Sequence, residues 1–219
     1  LTQNAATCSK LHSSIMRVIC APDSFKESMP AKKAAAAMAA GLRDADPKIV
    51  VDECPIADGG EGTVDALVAA TGGATHETTV LGPTGESVGA VWGELGGDGA
   101  AAIEMAGAAG LAMIPKSLRD PTRTTTFGFG QLIREAIEHG ASRIILGLGG
   151  SATTDAGCAT AQALGVTFRD GRGHPINRPL TGGDLVDVAS IDLSTLDPRV
   201  RRMTITAACD VSNPLFGPT

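Results

Sequence analysis

The sequence predicts an α/β protein, and three observations carry that prediction. Hydrophobic residues make up 43% of the 219 positions and charged residues 19%, so the chain can bury a core. Only 3% are aromatic, with one Trp and no Tyr, against 28 Gly, which implies closely packed layers of small aliphatic side chains. Short β-branched runs also alternate with helical stretches, joined by glycine-rich loops.

The elements follow in order. Residues 1–15 are mixed and polar, without the apolar segment of a signal peptide, and read as a disordered leader with Met16 as the natural start. Residues 17–21 form a strand stopped by Pro22. An Ala-rich helix over 31–43 follows, with Ser28 able to cap it and Pro30 suited to its first turn. Residues 49–51 make a second strand, closed by Cys54-Pro55-Ile56, and a helix over 63–70 ends at Gly72-Gly73. Strands are then expected at 78–81, 88–92 and 100–105. Residues 126–139 are amphipathic, with Leu132, Ile133, Ala136 and Ile137 on one stripe. A buried strand at 143–148 runs into Gly149-Gly150, a small-residue helix spans 153–164, and strands follow at 166–168 and 204–209. Asp170-Gly171 marks a turn.

Composition excludes several functions. A net charge of −6 disfavours a sequence-independent grip on phosphate backbones, and the scarcity of rings removes the platforms that single-stranded nucleic acid needs. No apolar run approaches the ~18 residues of a membrane span. The five cysteines, Cys8, Cys20, Cys54, Cys158 and Cys209, are odd in number and widely spaced, which argues against structural zinc and for a reducing cytoplasm. Cys20, Cys54 and Cys209 lie in or beside apolar runs, as small hydrophobes do. His76, His139 and His174 stand apart from the motifs and read as surface or satisfied-core residues.

Three loops share one design: each follows a strand, carries acids or hydroxyls, and leads into a helix. They are Asp23-Ser24-Phe25-Lys26-Glu27-Ser28, Asp58-Gly59-Gly60-Glu61-Gly62-Thr63, and Gly149-Gly150-Ser151-Ala152-Thr153-Thr154-Asp155. Ligands in α/β sheets sit at the carboxyl ends of strands, where glycine admits close approach and helix amides hold anions. Lys26 can neutralise a phosphate or carboxylate, and the acidic glycine loop of Asp58 and Glu61 suits Mg²⁺ or polyol hydroxyls. Asp210, ending the last strand, offers a fourth loop with a base or metal ligand. The ordinary alternative for each acid is a turn or cap. Gly147 to Ala152 also fits the relaxed G-x-G-x-x-A dinucleotide pattern, with Asp170 near the place of a ribose-binding acid, so an NAD-dependent oxidoreductase competes. No Walker A motif occurs.

Together the motifs resemble the bacterial class I glycerate kinases. The resemblance rests on Ala21-Pro22-Asp23-Ser24-Phe25-Lys26-Glu27-Ser28, Ala57-Asp58-Gly59-Gly60-Glu61-Gly62-Thr63, Ile103-Glu104-Met105-Ala106, Thr124-Thr125-Thr126-Phe127-Gly128, Gly149-Gly150-Ser151-Ala152-Thr153, and Cys209-Asp210-Val211 with Asn213-Pro214-Leu215. It implies ATP-dependent, Mg²⁺-assisted phosphorylation of D-glycerate to 2-phosphoglycerate. It implies a discontinuous flavodoxin-like (Rossmann-like) domain, beginning here with residues 16–80, and an inserted mixed α/β, restriction-enzyme-like domain over 81–219. The partners it implies are D-glycerate and ATP; composition adds the expectation of no nucleic acid and no membrane, and a homo-oligomer is allowed.

As hypothesis, Lys26 and the amides of Gly149, Gly150 and Ser151 stabilise anionic charge, and Asp23 or Asp210 accepts the substrate proton. Ser24, Asp58, Gly59, Gly60, Glu61, Thr153 and Asn213 bind substrate or phosphate. Asp155 is the candidate metal ligand, a role that Asp58 or Glu61 could also fill. Thr154 stands where the family has Asn, and Ala156 where it has Gly. Family members are considerably longer, so the chain is expected to lack the C-terminal remainder of the flavodoxin-like domain. An inactive fragment is therefore a third reading.

Overall fold

The computed structural model describes residues 16–25, 28–97, 99–209 and 211. The expected leader, residues 1–15, lies outside them. The protein is mixed α/β with several sheets, and its contacts divide it after Pro55.

In the first unit, β1 (Arg17–Cys20) pairs in parallel with β2 (Val50–Glu53), Arg17 opposite Val50 and Cys20 opposite Glu53. Parallel neighbours need a crossover, and α1 (Ala31–Ala45) supplies it. Alanine makes that helix on propensity, and Ala34, Ala35 and Ala39 are its buried stripe, the last two packing with Cys20, Val51 and Leu42. The helix starts at Pro30 in extended conformation, with no side-chain cap, so Ser28 does not fill the capping role expected of it. Arg17 reaches Asp52 with Nε and Nη2 at 2.5 and 3.0 Å, tying the two strands at the surface.

The second unit is built on a five-stranded sheet. Its strands are β3 (Ala74–Leu81), β4 (Ser87–Glu94), β5 (Ala100–Glu104), β6 (Arg143–Gly147) and β9 (Thr204–Ala208), lying side by side in that order. The β3–β4 and β4–β5 pairs are antiparallel, whereas β5, β6 and β9 run parallel, so their carboxyl ends share one edge. Alternation along β5 shows why Ala-Ala-Ala-Ile can be an unbroken apolar run. Ala101 and Ile103 face α4 (Phe127–Glu138) in one core, while Ala100 and Ala102 meet Val64 of α2 (Thr63–Thr71) in another. The stripe read from the sequence of α4 is its buried face: Leu132, Ile133, Ala136 and Ile137 are all nearly inaccessible. The lone Trp92 is sealed into this core, and His76 stacks on it at 4.3 Å while His139 meets it edge-on at 5.3 Å. His76 Nε2 also lies 3.0 Å from Glu94, as a satisfied histidine should.

Other differences from expectation have local causes. A short α3 (Ala106–Ala109) follows β5. The helix expected over 153–164 is only α5 (Cys158–Ala163), because Asp155 turns the chain and Ala156 and Gly157 take positive φ of 54° and 72°. A small ladder, β7 (Thr167–Arg169) with antiparallel β8 (Ser190–Asp192), adds a strand not expected from sequence. Asp170 is occupied as a turn residue, its Oδ1 accepting from the Arg172 and His174 amides at 2.9 Å. Cys54 and Cys209 are exposed, and Cys20 alone of the three apolar-run cysteines is buried. Among the described residues, no helix is long and apolar enough to cross a membrane.

Asp184 anchors the last third of the chain. It caps the turn at Thr181, accepting from that residue's amide and hydroxyl at 2.9 Å, and takes both Nη atoms of Arg178. The Arg178 guanidinium holds its carboxyl down at about 2, well below the ordinary 3.8. Its stabilisation is therefore full above 3.8 and lost as pH falls toward 2. Asp184→Ala should cost about 1–3 kcal/mol at neutral pH, read as a lower unfolding midpoint, and the gap to wild type should close in acid.

Candidate functional site

The site is built where β5, β6 and β9 end together. Residues 58–62 form a tight turn before α2, and its backbone lies directly on the ends of the other strands. Gly149 N–H donates to the Gly59 carbonyl at 2.9 Å, Leu148 N–H to Ala208 O at 3.2 Å, and Met105 N–H to Gly147 O at 2.7 Å. Two glycines make this approach possible. Gly59 has φ +97°, and a Cβ there would sit 2.7 Å from Ala208 O; at Gly149 a Cβ would sit 2.7 Å from Gly60 Cα. Either contact is closer than any side chain tolerates.

Glu104 locks the turn from below. It closes β5, and its Oε2 accepts from the amides of Gly62 at 3.0 Å and Val64 at 3.2 Å, the entrance to α2. These are orphan donors that a helix start must satisfy, and a carboxylate suits the positive end of the helix dipole. Burial pushes the Glu104 carboxyl above its ordinary range; the Val64 and Gly62 amides pull it down, and the nearby charges of Asp65 and Glu61 add to the rise. The site assignments from sequence passed over Glu104. Its signal was there: a lone acid ending an otherwise wholly apolar buried strand.

The third loop is strapped to the segment before α4. Leu111 N–H donates to Gly150 O and Ala152 N–H to Ala109 O, both at 2.8 Å. Thr124 Oγ1 donates to Ala152 O at 2.9 Å and Thr154 Oγ1 to Pro121 O at 3.0 Å. Ser151 Oγ and Thr153 Oγ1 lie 2.7 Å apart, and the Thr153 amide donates to Ser151 Oγ at 3.1 Å. Asp155 is only 1% exposed. Its Oδ2 accepts from the Thr126 amide and hydroxyl at 2.8 Å and its Oδ1 from the Gly157 amide at 3.0 Å, while Thr126 Oγ1 also accepts from Thr160 N. The acid thus joins the start of α4 to the start of α5.

The structure therefore brings Gly59, Gly60, Gly149 and Gly150 together with Asp58 and Glu61, both exposed on the same turn, and places Ser151 and Thr153 further along the third loop. Asp58 Oδ1 accepts from Gly60 N at 3.0 Å, which shapes the turn. In the first unit, Asp23 follows β1 and accepts from the Ser24 amide at 2.5 Å, with Ser24 exposed. Lys26, Asp210 and Asn213 lie outside the described residues. The spaces beside Gly59 and Gly149 are filled by neighbouring backbone, and α5 begins only at Cys158, so the Gly147 to Ala152 stretch does not open a helix as a dinucleotide fingerprint does.

Fold and loops define an α/β protein whose candidate site is made of glycine turns at the carboxyl edge of a sheet. The glycerate kinase family profile matches residues 18–219. The chain is 49% identical over 203 residues to the glycerate 2-kinase of Escherichia coli K12, covering 92% of this chain and 52% of that one. It is likewise 49% identical over 203 residues to a Bacillus subtilis 168 glycerate kinase, covering 93% and 53%. A crystal structure named for a glycerate kinase 2 of Salmonella typhimurium LT2 superposes with a TM-score of 0.79 at 46% identity, over 93% of this chain and 54% of that one. The chain belongs to the glycerate kinase family. It spans about half the length of the curated relatives it matches.

Two outcomes test this geometry. Gly149→Ala should lower the unfolding midpoint by the equivalent of about 1–3 kcal/mol, since two backbones must separate to admit the methyl group. For Glu104, a carboxyl with a raised folded value stabilises most below 4.5 and loses that contribution as pH climbs through the higher value. Glu104→Gln keeps an acceptor for the two amides. Its unfolding midpoint relative to wild type should therefore rise from pH 4.5 toward neutrality. A flat difference across that range would contradict the reading.

Proposed function

We propose that the chain acts as an ATP-dependent kinase that phosphorylates D-glycerate to 2-phosphoglycerate. The observation that carries this reading is the joining of the Gly59-Gly60 turn, the Gly149-Gly150 loop and the end of β9 at one sheet edge, in a chain of this family. The division into a flavodoxin-like part at 16–80 and an inserted domain at 81–219, and residence in the cytoplasm, belong to the same proposal.

Phosphoryl transfer asks mainly for positioning and charge neutralisation, and these residues supply both. The amides of Gly150 and Ser151 are suited to an anionic oxygen; that of Gly149 is already committed to Gly59. Lys26 would add a positive charge, Ser24 and Thr153 hydroxyl donors, and Asn213 an amide. Asp23 or Asp210 would take the proton from the substrate hydroxyl. Glu104 would keep the acidic turn in place.

Mg²⁺, bound with ATP, would supply neutralisation of phosphate charge. Mg²⁺ commonly binds through one or two carboxylates plus phosphate oxygens and needs no protein cage. Among the described residues, no cluster of three or more His, Cys, Asp or Glu is placed to hold a metal. Exposed Asp58 and Glu61 suit that duty. For Asp155, the assignment would require an ion to share a buried carboxylate with three donors it already serves. The geometry therefore favours Asp58 and Glu61.

The test is an ADP-coupled assay with D-glycerate, with the product position read by ³¹P NMR. Glycerate-dependent ADP release and a 2-phosphate signal are expected. Asp23→Ala, Asp58→Ala and Asp210→Ala should each reduce turnover by about 10²-fold or more. Wild-type turnover in all three variants would sink the residue assignments, and no glycerate-dependent turnover would sink the activity for this chain.

A further inference from the structure

The geometry points to Arg119 as the seat of a small substrate carboxylate, in a cleft of about 210 Å³ between the segment that straps the third loop and that loop itself. The inference deepens the kinase reading and rests on it only for naming the acid as D-glycerate. Arg119, Asp120, Ser151 and Thr153 line this cleft, with Leu111 and Ile114 as its apolar wall.

Arg119 is mounted rather than free to swing. Its Nε donates to Ile114 O at 3.1 Å and its Nη2 to Leu111 O at 3.2 Å. A guanidinium presents five N–H groups in a rigid fork. The two carbonyls take the Nε side, which leaves the Nη1–Nη2 end for an external acceptor. Among the described residues, no carboxylate pairs with this cation. An end-on fork with two parallel donors matches the two oxygens of a carboxylate.

The rest of the cleft selects the class of acid. In the Ser151–Thr153 pair one hydroxyl proton is spent within the pair, and the other stays available to a substrate oxygen. Asp120 uses Oδ1 for the Thr122 amide and hydroxyl, at 2.9 and 2.6 Å, and retains Oδ2 as an acceptor for a substrate hydroxyl. The same acid repels a doubly charged phosphate. Leu111 and Ile114 face carbon rather than a second charge. Pockets for drug-sized ligands run from about 300 Å³ upward, so this cleft suits an acid of a few carbons and not a nucleotide. The ligand class is therefore a short hydroxycarboxylate, its carboxylate on Arg119 and its hydroxyl between Asp120 and the Ser151–Thr153 pair.

Calorimetric titration of the 219-residue chain without ATP tests the seat directly. The probes are D-glycerate, glycerol, which lacks the carboxylate, and inorganic phosphate. Wild type should bind D-glycerate and ignore glycerol and phosphate. Arg119→Ala and Arg119→Gln should weaken glycerate binding about tenfold or more, and Arg119→Lys by less, because it keeps the charge but not the fork. Thermal unfolding confirms that each variant is folded, and Arg119→Gln retains a donor for the two carbonyls if Arg119→Ala does not fold. Unchanged glycerate affinity in the folded variants, absence of glycerate binding to folded wild type, or Arg119-dependent binding of phosphate in place of glycerate would each overturn the assignment. The two readings separate in the kinase assay. Arg119-dependent glycerate binding without phosphoglycerate formation leaves this seat and removes the kinase activity. Turnover with an unchanged KM for glycerate in Arg119→Gln does the reverse.

Discussion

The second unit depends on one close approach: the backbone of Gly59 and Gly60 lying against the ends of β6 and β9. No side chain mediates it. Hydrogen bonds from Gly149 to Gly59 and from Leu148 to Ala208 hold peptide planes in direct contact. That contact sets how far α2 stands from the sheet, and Glu104 fixes the entrance of the same helix from the neighbouring strand. Glycines here serve as spacers of zero thickness. Charge and hydroxyl groups can then be carried on the adjacent residues, Asp58, Glu61, Ser151 and Thr153, without disturbing the frame.

The frame works because β5, at the centre of the sheet, is covered on both faces. Ala101 and Ile103 turn to α4 and Ala100 and Ala102 to α2, so β5 has no side for water. Small residues let both helices come close, and α5 comes close to α4 for the same reason, with Gly130 against Thr160. Polar groups enter this packing only where fully answered. Asp155 between Thr126 and Gly157 is the principal case: a buried acid whose cost is met by donors at two helix starts. Among the described residues, no buried side-chain polar atom lacks a partner.

Much of this was legible in the residues. The 3.6-residue stripe of α4, the alanine helix α1 and the Gly72 stop of α2 are local signals, and each element formed where those signals placed it. The glycine loops were legible as loops, but their mutual contact was not, because strand order is a long-range property. Sequence reading placed a helix from 153, where small residues favour one. The structure instead spends Asp155 on a distant threonine, a pairing 29 residues apart that no window can see. Glu104 and Arg119 were passed over for related reasons. One acts on amides 40 and 42 residues earlier, and the other sits in a segment of short 3-10 turns with no periodicity to mark it.

The packing of His76 on Trp92 has a spectroscopic consequence. The chain contains a single Trp and no Tyr, so the near-ultraviolet emission of the protein arises from one indole. That indole is 2% exposed, within the core between α4 and the antiparallel strands, with one imidazole stacked on its face and another at its edge. Its fluorescence reports on the second unit alone, while β1, α1 and β2 are optically silent by comparison. Far-ultraviolet circular dichroism sees both units. Denaturation followed by the two signals in parallel separates the melting of the five-stranded sheet from that of the small parallel pair, in the native sequence and without a label.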